Sequence, residues 1–331
     1  MNLELRSVRI KNCGPIDDIK IDFFDASGKT LPVCVIGGAN GSGKTTVLEV
    51  IWGIASMIPS GMIDGKFAEK KIEYAQIDWR IDGKAFSQFL GTKPQDAILS
   101  QEFYGLIHFG NNGYENENTS FSKEFMQGVF LQQNRADTST GIADNAYREK
   151  KPPSVIYLPH NRSLEPVSGN QVQKEADHYQ FVHRIETIRQ FPGSLTSYLI
   201  WLDYSDTDRF HQMQNFLNNL DFDGKTFHVN RKELDVFVKT KDGHEHHLHE
   251  LSSGEQNLLI ILIELYRKLV PGSVVLIDEI ENSLHPAYQH RLAQGLLALQ
   301  KEIPYQLIVT THAPAFVEIF GAENTRLLTP F

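Results

Sequence analysis

GGANGSGKTT, from Gly37 to Thr46, is the stretch of sequence that decides the fold of this protein. Within it, Gly38 to Thr45 matches the pattern GxxxxGK followed by Ser or Thr. The apolar run Pro32 to Ile36 comes directly before it and predicts a buried strand, and the stretch from Lys44 to about Met57 predicts an amphipathic helix. A strand, a glycine loop and a helix in this order predict a phosphate-binding loop.

The residues of this loop have distinct expected roles. Its glycines let backbone N–H groups turn toward phosphate oxygens, and the helix that begins near Gly43 adds its positive end. Lys44 is expected to reach the β- and γ-phosphates of a nucleotide, and the Thr45 hydroxyl to bind Mg²⁺. The flanking strand and helix argue against a turn without a ligand. The predicted nucleotide contacts are Gly38, Asn40, Gly41, Ser42, Gly43, Lys44, Thr45 and Thr46.

A second feature is the apolar strand Val274 to Ile277, which ends in the two carboxylates Asp278 and Glu279. They are expected at the carboxyl edge of a parallel sheet, where α/β proteins bind ligands. Asp278 suits the coordination shell of Mg²⁺, and Glu279 can polarise an attacking water as a general base. Such a pair alone can be a strand end that meets solvent. Together with the glycine loop it indicates hydrolysis of a bound nucleotide.

A third feature is LSSGEQ, from Leu251 to Gln256, which precedes a helix predicted over Glu255 to Lys268. A serine hydroxyl and backbone N–H groups therefore gather at a helix N-terminus and can bind a second anion. An ordinary helix cap explains the same residues equally well. One subunit does not need two sites for a γ-phosphate. This segment taken alone therefore does not decide between an anion site and a helix cap.

The combined motifs resemble those of ABC-type ATPases, and they look most like the branch that contains the SMC, RecF and OLD proteins. The resemblance is carried by the glycine loop, LSSGEQ, LIDEIENSLHP and LIVTTHAP, which follow one another in the order of that family. It covers both ends of the chain and the middle only loosely. It implies an α/β P-loop NTPase fold of ABC type, with a mixed sheet core flanked by helices, a small antiparallel β-subdomain and an inserted helical lobe. ATP and Mg²⁺ are the implied cofactors.

The resemblance also implies how the motifs work together. In this family the signature residues of one subunit close over the ATP held by the other, which gives Ser252, Ser253 and Gly254 a role in the partner's site. Asn282 and Ser283 match the loop that crosses the dimer interface, and His312 matches the histidine that senses the γ-phosphate. The expected catalytic residues are Lys44, Glu279 and His312, and the expected Mg²⁺ ligands are Thr45 and Asp278.

Some positions depart from the family pattern or stay unassigned. Ser253 stands where many relatives have glycine. No single residue can be assigned as the glutamine of the Q-loop, for which the candidates are Gln76, Gln101, Gln132 and Gln133. Weaker candidates for nucleotide contacts lie in the first strand: Arg9, Lys11 and Asn12. Arg162, in the segment YLPHNR, could link nucleotide state to the helical lobe or be a surface arginine.

The pattern divides the chain into two halves of one core and an insertion. Residues 1–110 carry the glycine loop, 111–235 hold inserted loops and a helical lobe, and 236–331 carry the signature, the paired carboxylates and His312. The segment 71–109 predicts a small antiparallel sheet, and 175–220 is predicted to be mostly helical. The last eighty residues predict a strand over Ser273 to Ile277, a helix over Pro286 to Lys301 and a strand over Gln306 to Thr311. Two polar stretches, 111–120 and 135–153, predict loops.

Composition excludes several classes of protein. Hydrophobic residues make up 41% and charged residues 22% of the 331 residues, which is typical of a globular chain. The sequence shows no secretory signal and no apolar run long enough to span a bilayer, so a cytoplasmic location and no membrane contact are expected. The net charge of −9 argues against a generally basic nucleic-acid surface. Cys34 lies in an apolar run and predicts a buried thiol. The cluster His244, His246, His247 and His249 lies in a polar hairpin and is a weak candidate for metal binding.

The expected function is ATP hydrolysis by a head-to-tail homodimer whose closure regulates a separate effector, a nuclease or toxin, in bacterial anti-phage defence. This setting rests on the resemblance. The short segment after His312 leaves no room for the Toprim nuclease domain of OLD proteins, so nuclease activity is expected in another protein. Three alternatives remain: a repair ATPase like RecF or SMC that binds DNA, a transporter's nucleotide-binding subunit, and an ATP-gated scaffold with little basal hydrolysis.

Overall fold

The phosphate loop sits at the carboxyl edge of a parallel sheet. The computed structural model describes residues 1–60, 71–109, 113–133, 151–162, 164, 179–185, 194–220, 222 and 224–328. In this part of the chain the core sheet has six parallel strands in the order β15-β3-β14-β13-β8-β9. The strands are β3 (Val33–Gly38), β8 (Val155–Leu158), β9 (Val182–Arg184), β13 (Ser273–Ile277), β14 (Tyr305–Thr311) and β15 (Thr325–Leu328).

The core sheet is covered on both faces because its strands are apolar on both sides. Val33 and Val35 of β3 belong to one hydrophobic cluster, and Cys34 and Ile36 belong to the other. Near-continuous burial of this kind is typical of parallel sheets with helices on their faces. The α/β fold expected from the sequence is confirmed.

A second sheet extends the glycine-loop half of the molecule. Its order is β2-β1-β4-β5-β6-β7, and all neighbours are antiparallel except β5 and β6. The strands are β1 (Leu3–Cys13), β2 (Ile16–Asp22), β4 (Ile72–Ile81), β5 (Lys84–Gly91), β6 (Glu102–Phe109) and β7 (Gly113–Asn118). The small antiparallel sheet predicted over 71–109 is therefore part of a larger mixed sheet that includes the first two strands.

One other sequence prediction for the middle of the chain is wrong, and another holds except at one short strand. The loop predicted over 111–120 contains β7, because backbone pairing with β6 at a sheet edge leaves its polar side chains free to meet solvent. The stretch 175–220, predicted to be mostly helical, forms helices over Leu195–Ser205 and Thr207–Asn219. It also contains β9, whose three residues pair with β8. The predicted loop residues 135–150 and the predicted helical residues 175–178 and 186–193 lie outside the described residues.

The helices complete the two layers. They are α1 (Lys44–Ala55), α2 (Met57–Ser60), α3 (Ser120–Gln133), α4 (Leu195–Ser205), α5 (Thr207–Asn219), α6 (Ser253–Lys268), α7 (Pro286–Glu302) and α8 (Pro314–Phe320). A three-stranded sheet of β10 (Thr226–Asn230), β11 (Asp235–Lys239) and β12 (Glu245–His247) packs beside α4 and leads toward α6. Because β8 and β9 join the core sheet, the segment 111–235 is not purely an insertion, and the proposed division of the chain stays a prediction.

The last part of the chain follows its sequence pattern closely. Strand β13 has the predicted bounds, α6 begins two residues earlier than predicted, and α7 and β14 agree to within one residue. Helix α8 and strand β15 were not predicted, and β15 pairs with β3 beside the phosphate loop. Within the described ranges, every helix is too short or too polar to cross a bilayer.

Candidate nucleotide-binding site

The phosphate loop joins β3 to α1 in a conformation that depends on glycine. Gly43 is the cap of α1 with φ +91°, and a Cβ there would lie 2.7 Å from Cγ1 of Ile16. At Gly38 a Cβ would lie 2.7 Å from Oγ of Ser42 and 2.8 Å from the carbonyl oxygen of Leu328. Side chains at these two positions would therefore push the loop away from β2 and β15, its neighbours on either side.

Lys44 and Ser42 are the polar side chains that the loop encloses. Nζ of Lys44 donates to the carbonyl oxygens of Gly38 and Ala39, both at 2.8 Å. Burial lowers the pKa of Lys44, and the carboxylates of Glu279, Glu281 and Asp278 partly oppose this. The buried Oγ of Ser42 has no hydrogen-bond partner among the described residues. A bound phosphate can therefore accept hydrogen bonds from the ammonium group of Lys44, which now donates to carbonyls of the loop, and from the unpartnered hydroxyl of Ser42.

Asp278 lies at the end of β13, fully buried beside Thr45. Its Oδ2 accepts from Oγ1 of Thr45 at 2.9 Å, and its Oδ1 accepts from Oγ1 of Thr310 at 2.6 Å. The sequence-predicted pair of Mg²⁺ ligands is thus brought together. Carboxylate and hydroxyl oxygens are ligands that Mg²⁺ prefers, so this pair fits that ion.

His160 is a residue of this site that the sequence reasoning did not single out. It follows β8, the neighbour of β13 in the core sheet, and its Nδ1 lies 3.3 Å from Oδ2 of Asp278. The segment YLPHNR indicated interest at this place, but only the pairing of β8 with β13 shows that the histidine reaches the carboxylate.

Glu279 has a strained backbone. Its φ is +44°, in the left-handed region that residues other than glycine rarely adopt. Such a conformation costs about 1–3 kcal/mol and persists only when neighbours hold it. Its N–H donates to Oγ1 of Thr310 at 2.7 Å, and its carbonyl oxygen accepts from Nη2 of Arg162 at 3.0 Å and from N of Asn282 at 2.9 Å. These three bonds hold the backbone of the predicted general base.

Two of the three predicted catalytic residues, Glu279 and His312, share an open cleft of about 550 Å³ beside the phosphate loop. Its other lining residues are Asn40, Glu281, Asn282 and Ser283. His312 follows β14, which pairs with β3 up to Thr311 opposite Gly37. Its backbone N–H donates to Oε1 of Glu281, whose buried Oε2 has no partner among the described residues. Glu281 was not predicted, since its place two residues after Glu279 carries no chemical signal without the turn that follows β13.

The signature segment caps α6. Ser252 is the cap residue, and its N–H and Oγ donate to Oε2 of Glu255 at 2.9 and 2.7 Å. A Cβ on Gly254 would lie 2.6 Å from the carbonyl oxygen of Ser283, so the signature packs closely against the segment that lines the cleft. Among the described residues, Ser252, Ser253 and Gly254 do not line the cleft of their own chain. The helix-cap interpretation is confirmed, and a role in a partner's site stays a prediction.

The weaker candidates have other partners. Arg9 pairs with Asp18 and Asp96 on the second sheet, and Lys11 also pairs with Asp18. The Asn12 side chain donates to Glu73.

The Q-loop glutamine stays unassigned. The side-chain amide of Gln76 is held by Tyr74, Asp78 and the carbonyl of Ile98, in the second sheet. Gln101 is exposed, and the side chains of Gln132 and Gln133 lie outside the described part.

The four clustered histidines lie beside carboxylates of the three-stranded sheet. Nδ1 of His247 lies 2.8 Å from Asp235, and its ring stacks on that of His249 at 5.2 Å. His246 and His244 lie 3.9 and 3.7 Å from Glu250 and Asp242. Where side chains are described, no group of three or more His, Cys, Asp or Glu could hold a metal ion.

Two models of known protein families match parts of this chain. Residues 33–318 match the family described as AAA domain, putative AbiEii toxin, Type IV TA system. The chain belongs to this AAA family. Residues 7–56 also match a family described simply as AAA domain.

Two curated relatives of this AAA chain come from retrons. The Retron Ec83 probable ATPase of Escherichia coli is 34% identical over 111 residues, which is 30% of this chain and 20% of the relative. The Retron Vc95 probable ATPase of Vibrio cholerae serotype O1 biovar El Tor is 32% identical over 106 residues, 29% of this chain and 20% of the relative. The aligned region thus spans about a fifth of each relative's length.

Solved structures similar to the AAA chain include SMC heads. The SMC head domain from Thermotoga maritima is 14% identical, with a TM-score of 0.45 and coverage of 96% of this chain and 92% of that one. A second is the Smc head domain with an extended coiled coil bound to the C-terminal domain of ScpA, derived from Pyrococcus furiosus. It is 13% identical, with a TM-score of 0.46 and coverage of 96% and 92%.

Proposed function

We propose that this chain hydrolyses ATP between two copies arranged head to tail. The observation that carries the proposal is the open cleft in which Glu279 and His312 face the phosphate loop while the signature lies outside it. A nucleotide in that cleft has catalytic groups from one chain and an open side toward solvent. The signature of a second chain would close that side.

The chain's own residues supply most of the chemistry. Lys44 would exchange the carbonyls of Gly38 and Ala39 for the β- and γ-phosphate oxygens of ATP. Glu279 would accept the proton of the attacking water, and His312 would contact the γ-phosphate from the end of β14. Mg²⁺, when bound by Thr45 and Asp278, would neutralise charge on the phosphate oxygens.

The partner chain would contribute Ser252, Ser253 and Gly254. These residues open α6, whose N-terminal N–H groups and positive end can stabilise a γ-phosphate presented by the other chain. Because Gly254 packs against the carbonyl oxygen of Ser283, a ligand at the signature would lie next to the segment after Glu279.

The biological setting that we propose is anti-phage defence in the cytoplasm, with ATP-driven closure controlling a separate nuclease or toxin. Its support is the AbiEii-type family and the retron names of the two relatives.

The test measures the mass of the purified chain in solution with ATP and Mg²⁺, together with phosphate release. Glu279→Gln keeps the side-chain size and removes the base, so this variant should form an ATP-dependent dimer without turnover. Lys44→Ala should show neither dimer nor turnover, because it lacks the cation for the phosphates.

The wild-type chain without nucleotide is the control and should stay a monomer. The proposal is wrong if the oligomeric state does not change with ATP and Glu279→Gln hydrolyses ATP normally. Two chains would then form no shared ATP site, and LSSGEQ would be only a helix cap.

A further inference from the structure

Arg162 makes an unusual set of hydrogen bonds at the end of β8. Its Nη1 donates to the carbonyl oxygens of Leu158, Pro159 and Asp278 at 3.1, 2.6 and 2.9 Å, and its Nη2 donates to that of Glu279 at 3.0 Å. Each of these acceptors is a backbone carbonyl. The guanidinium therefore holds the backbone on both sides of the β8–β13 pair and leaves the carboxylates of Asp278 and Glu279 free for other partners.

Even partial burial of a guanidinium is costly. Desolvation lowers the pKa of Arg162 to about 10, although Asp278 and other nearby groups oppose the shift. A planar fork with five donors can satisfy several carbonyls at once, which a lysine ammonium cannot do in the same geometry. The hydrogen bond to the Glu279 carbonyl also holds the backbone of the strained member of the paired carboxylates, Glu279.

A fifth hydrogen bond connects this backbone to the signature helix. Nε of Arg162 donates to Oδ1 of Asn257 at 2.7 Å, and Asn257 lies in α6 five residues after the cap Ser252. The side chain of Asn257 is buried, and its Nδ2 donates to the carbonyl oxygen of Asn282. Nδ2 of Asn282 in turn donates to the carbonyl oxygen of His160 at 2.7 Å, which returns the chain of bonds to the β8 end.

These contacts form a closed polar ring between three elements. One side is the segment after β8, the second is the turn after β13 that carries Glu279, and the third is the first turns of α6. Asn257 is buried and Arg162 is partly buried, so the donors of both side chains would lose partners if one element shifted alone. A displacement of α6 by itself is therefore unfavourable.

We propose that Arg162 is a positioning residue that, through Asn257, links the signature helix to the backbone of Glu279. When ATP bound to the partner chain contacts Ser252 and Gly254, this link positions the general base of this chain. This inference rests on the proposed head-to-tail site. Its consequence is that the two sites of the dimer hydrolyse ATP cooperatively, since ATP bound to one chain positions the general base of the other chain.

The experiment compares Arg162→Lys and Asn257→Leu with wild type for ATP binding, ATP-dependent dimer mass, kcat, KM and the Hill coefficient for ATP. Lysine keeps the charge and loses the fork, and leucine keeps the volume and loses both bonds of Asn257. We expect kcat to fall roughly 10- to 100-fold, as for loss of hydrogen bonds to a charged group, with KM and dimer mass nearly unchanged. The Hill coefficient should fall from near 2 to about 1.

Arg326→Lys is the matched control. Like the terminal nitrogens of Arg162, the guanidinium of Arg326 donates to backbone carbonyls, but it does so on the β15 side of the molecule. Its acceptors are the carbonyls of Asp22, Phe24, Glu323 and Thr325. It should lower stability without changing cooperativity. Thermal unfolding of each variant separates a folding defect from a catalytic one, and Asn257→Leu serves if Arg162→Lys does not fold.

The outcomes separate the two proposals. If wild type shows no ATP-dependent dimer or turnover, the proposed function fails and the ring has no site to control. If wild type dimerises and hydrolyses ATP but Asn257→Leu keeps the full kcat and Hill coefficient, the proposed link from α6 to Glu279 is wrong. The proposed head-to-tail site is then not affected. A wild-type Hill coefficient of 1 would also overturn the proposed link from α6 to Glu279.

Discussion

Gly43 illustrates how one position can serve two contacts of the phosphate loop. Its φ of +91° lets the loop turn into α1, and its missing Cβ lets the hairpin residue Ile16 approach. The second sheet therefore contacts the loop at its tightest turn. Conformation and space place independent demands on the same residue.

The substitution Gly43→Ala should cost both stability and nucleotide binding. A Cβ at φ +91° is strained by about 1 kcal/mol or more, and relief of the contact with Ile16 must move the loop. We expect ATP affinity to fall at least about tenfold and thermal stability to fall by roughly 1–3 kcal/mol. Isothermal titration with an ATP analogue and a thermal melt measure the two effects.

Gly83→Ala is the control, since Gly83 also has positive φ, +83°, but open space around its Cβ. It should lose stability and keep ATP affinity. Equal ATP affinities of Gly43→Ala and wild type would show that the approach of Ile16 does not shape the loop.

At the scale of elements, helix α6 begins with a cap that also carries an ion pair. Burial alone would raise the pKa of Glu255, but hydrogen bonds from Lys225 and Ser252 bring it below its usual 4.5. Tyr288 of α7 donates to the same carboxylate at 3.1 Å. The ionised carboxylate thus joins the signature to the start of β10 and to α7.

This cap predicts a pH dependence of stability. Because the folded-state pKa of Glu255 is lowered, its stabilisation is present above pH 4.5 and is lost as the pH falls through the folded-state value. Glu255→Gln should unfold about 1 kcal/mol more easily at pH 7, and the gap to wild type should close below pH 4.5. Urea unfolding at pH 3–7 measures it.

Glu124→Gln, at an exposed position of α3, is the control and should follow wild type at every pH. A gap for Glu255→Gln that is independent of pH would mean that its hydrogen bonds, and not its charge, stabilise the cap.

Elements with strong local patterns could be predicted from the sequence, and elements fixed by pairing could not. Strand β13 is apolar at every position after Ser273, and its bounds were predicted correctly. Strand β7, GYENEN, has no apolar periodicity and exists because β6 offers it an edge. The same contrast holds in the site: Lys44, Thr45, Asp278, Glu279 and His312 have chemical signals in the sequence, whereas the roles of His160, Glu281 and Asn257 depend on tertiary contacts.

At the scale of the whole molecule, one sheet separates two hydrophobic clusters. Successive residues of β13 point to opposite sides, Leu276 into the cluster around α1 and Ile277 into the cluster around α6. Both side chains are fully buried. Since the four central strands β3, β8, β13 and β14 each contribute side chains to both clusters, loss of packing in either layer would expose the shared sheet.

Unfolding should therefore be a single transition. Leu276→Ala and Ile277→Ala should each lower the free energy of unfolding by about 2–5 kcal/mol and shift the whole curve. Circular dichroism and tryptophan fluorescence in urea, with Trp52 and Trp201 on the two sides of the sheet, measure it. Two separated transitions, with each substitution moving only one, would show that the layers fold independently.

The two buried cysteines make the protein well suited to spectroscopy. Cys13 and Cys34 are the only thiols in the chain, both are buried, and burial raises the pKa of Cys34 to about 12. A protonated, enclosed thiol reacts slowly with maleimide dyes. A cysteine introduced at an exposed position could thus carry a fluorophore on an otherwise native background, so that energy transfer between two labelled copies could follow their approach in real time.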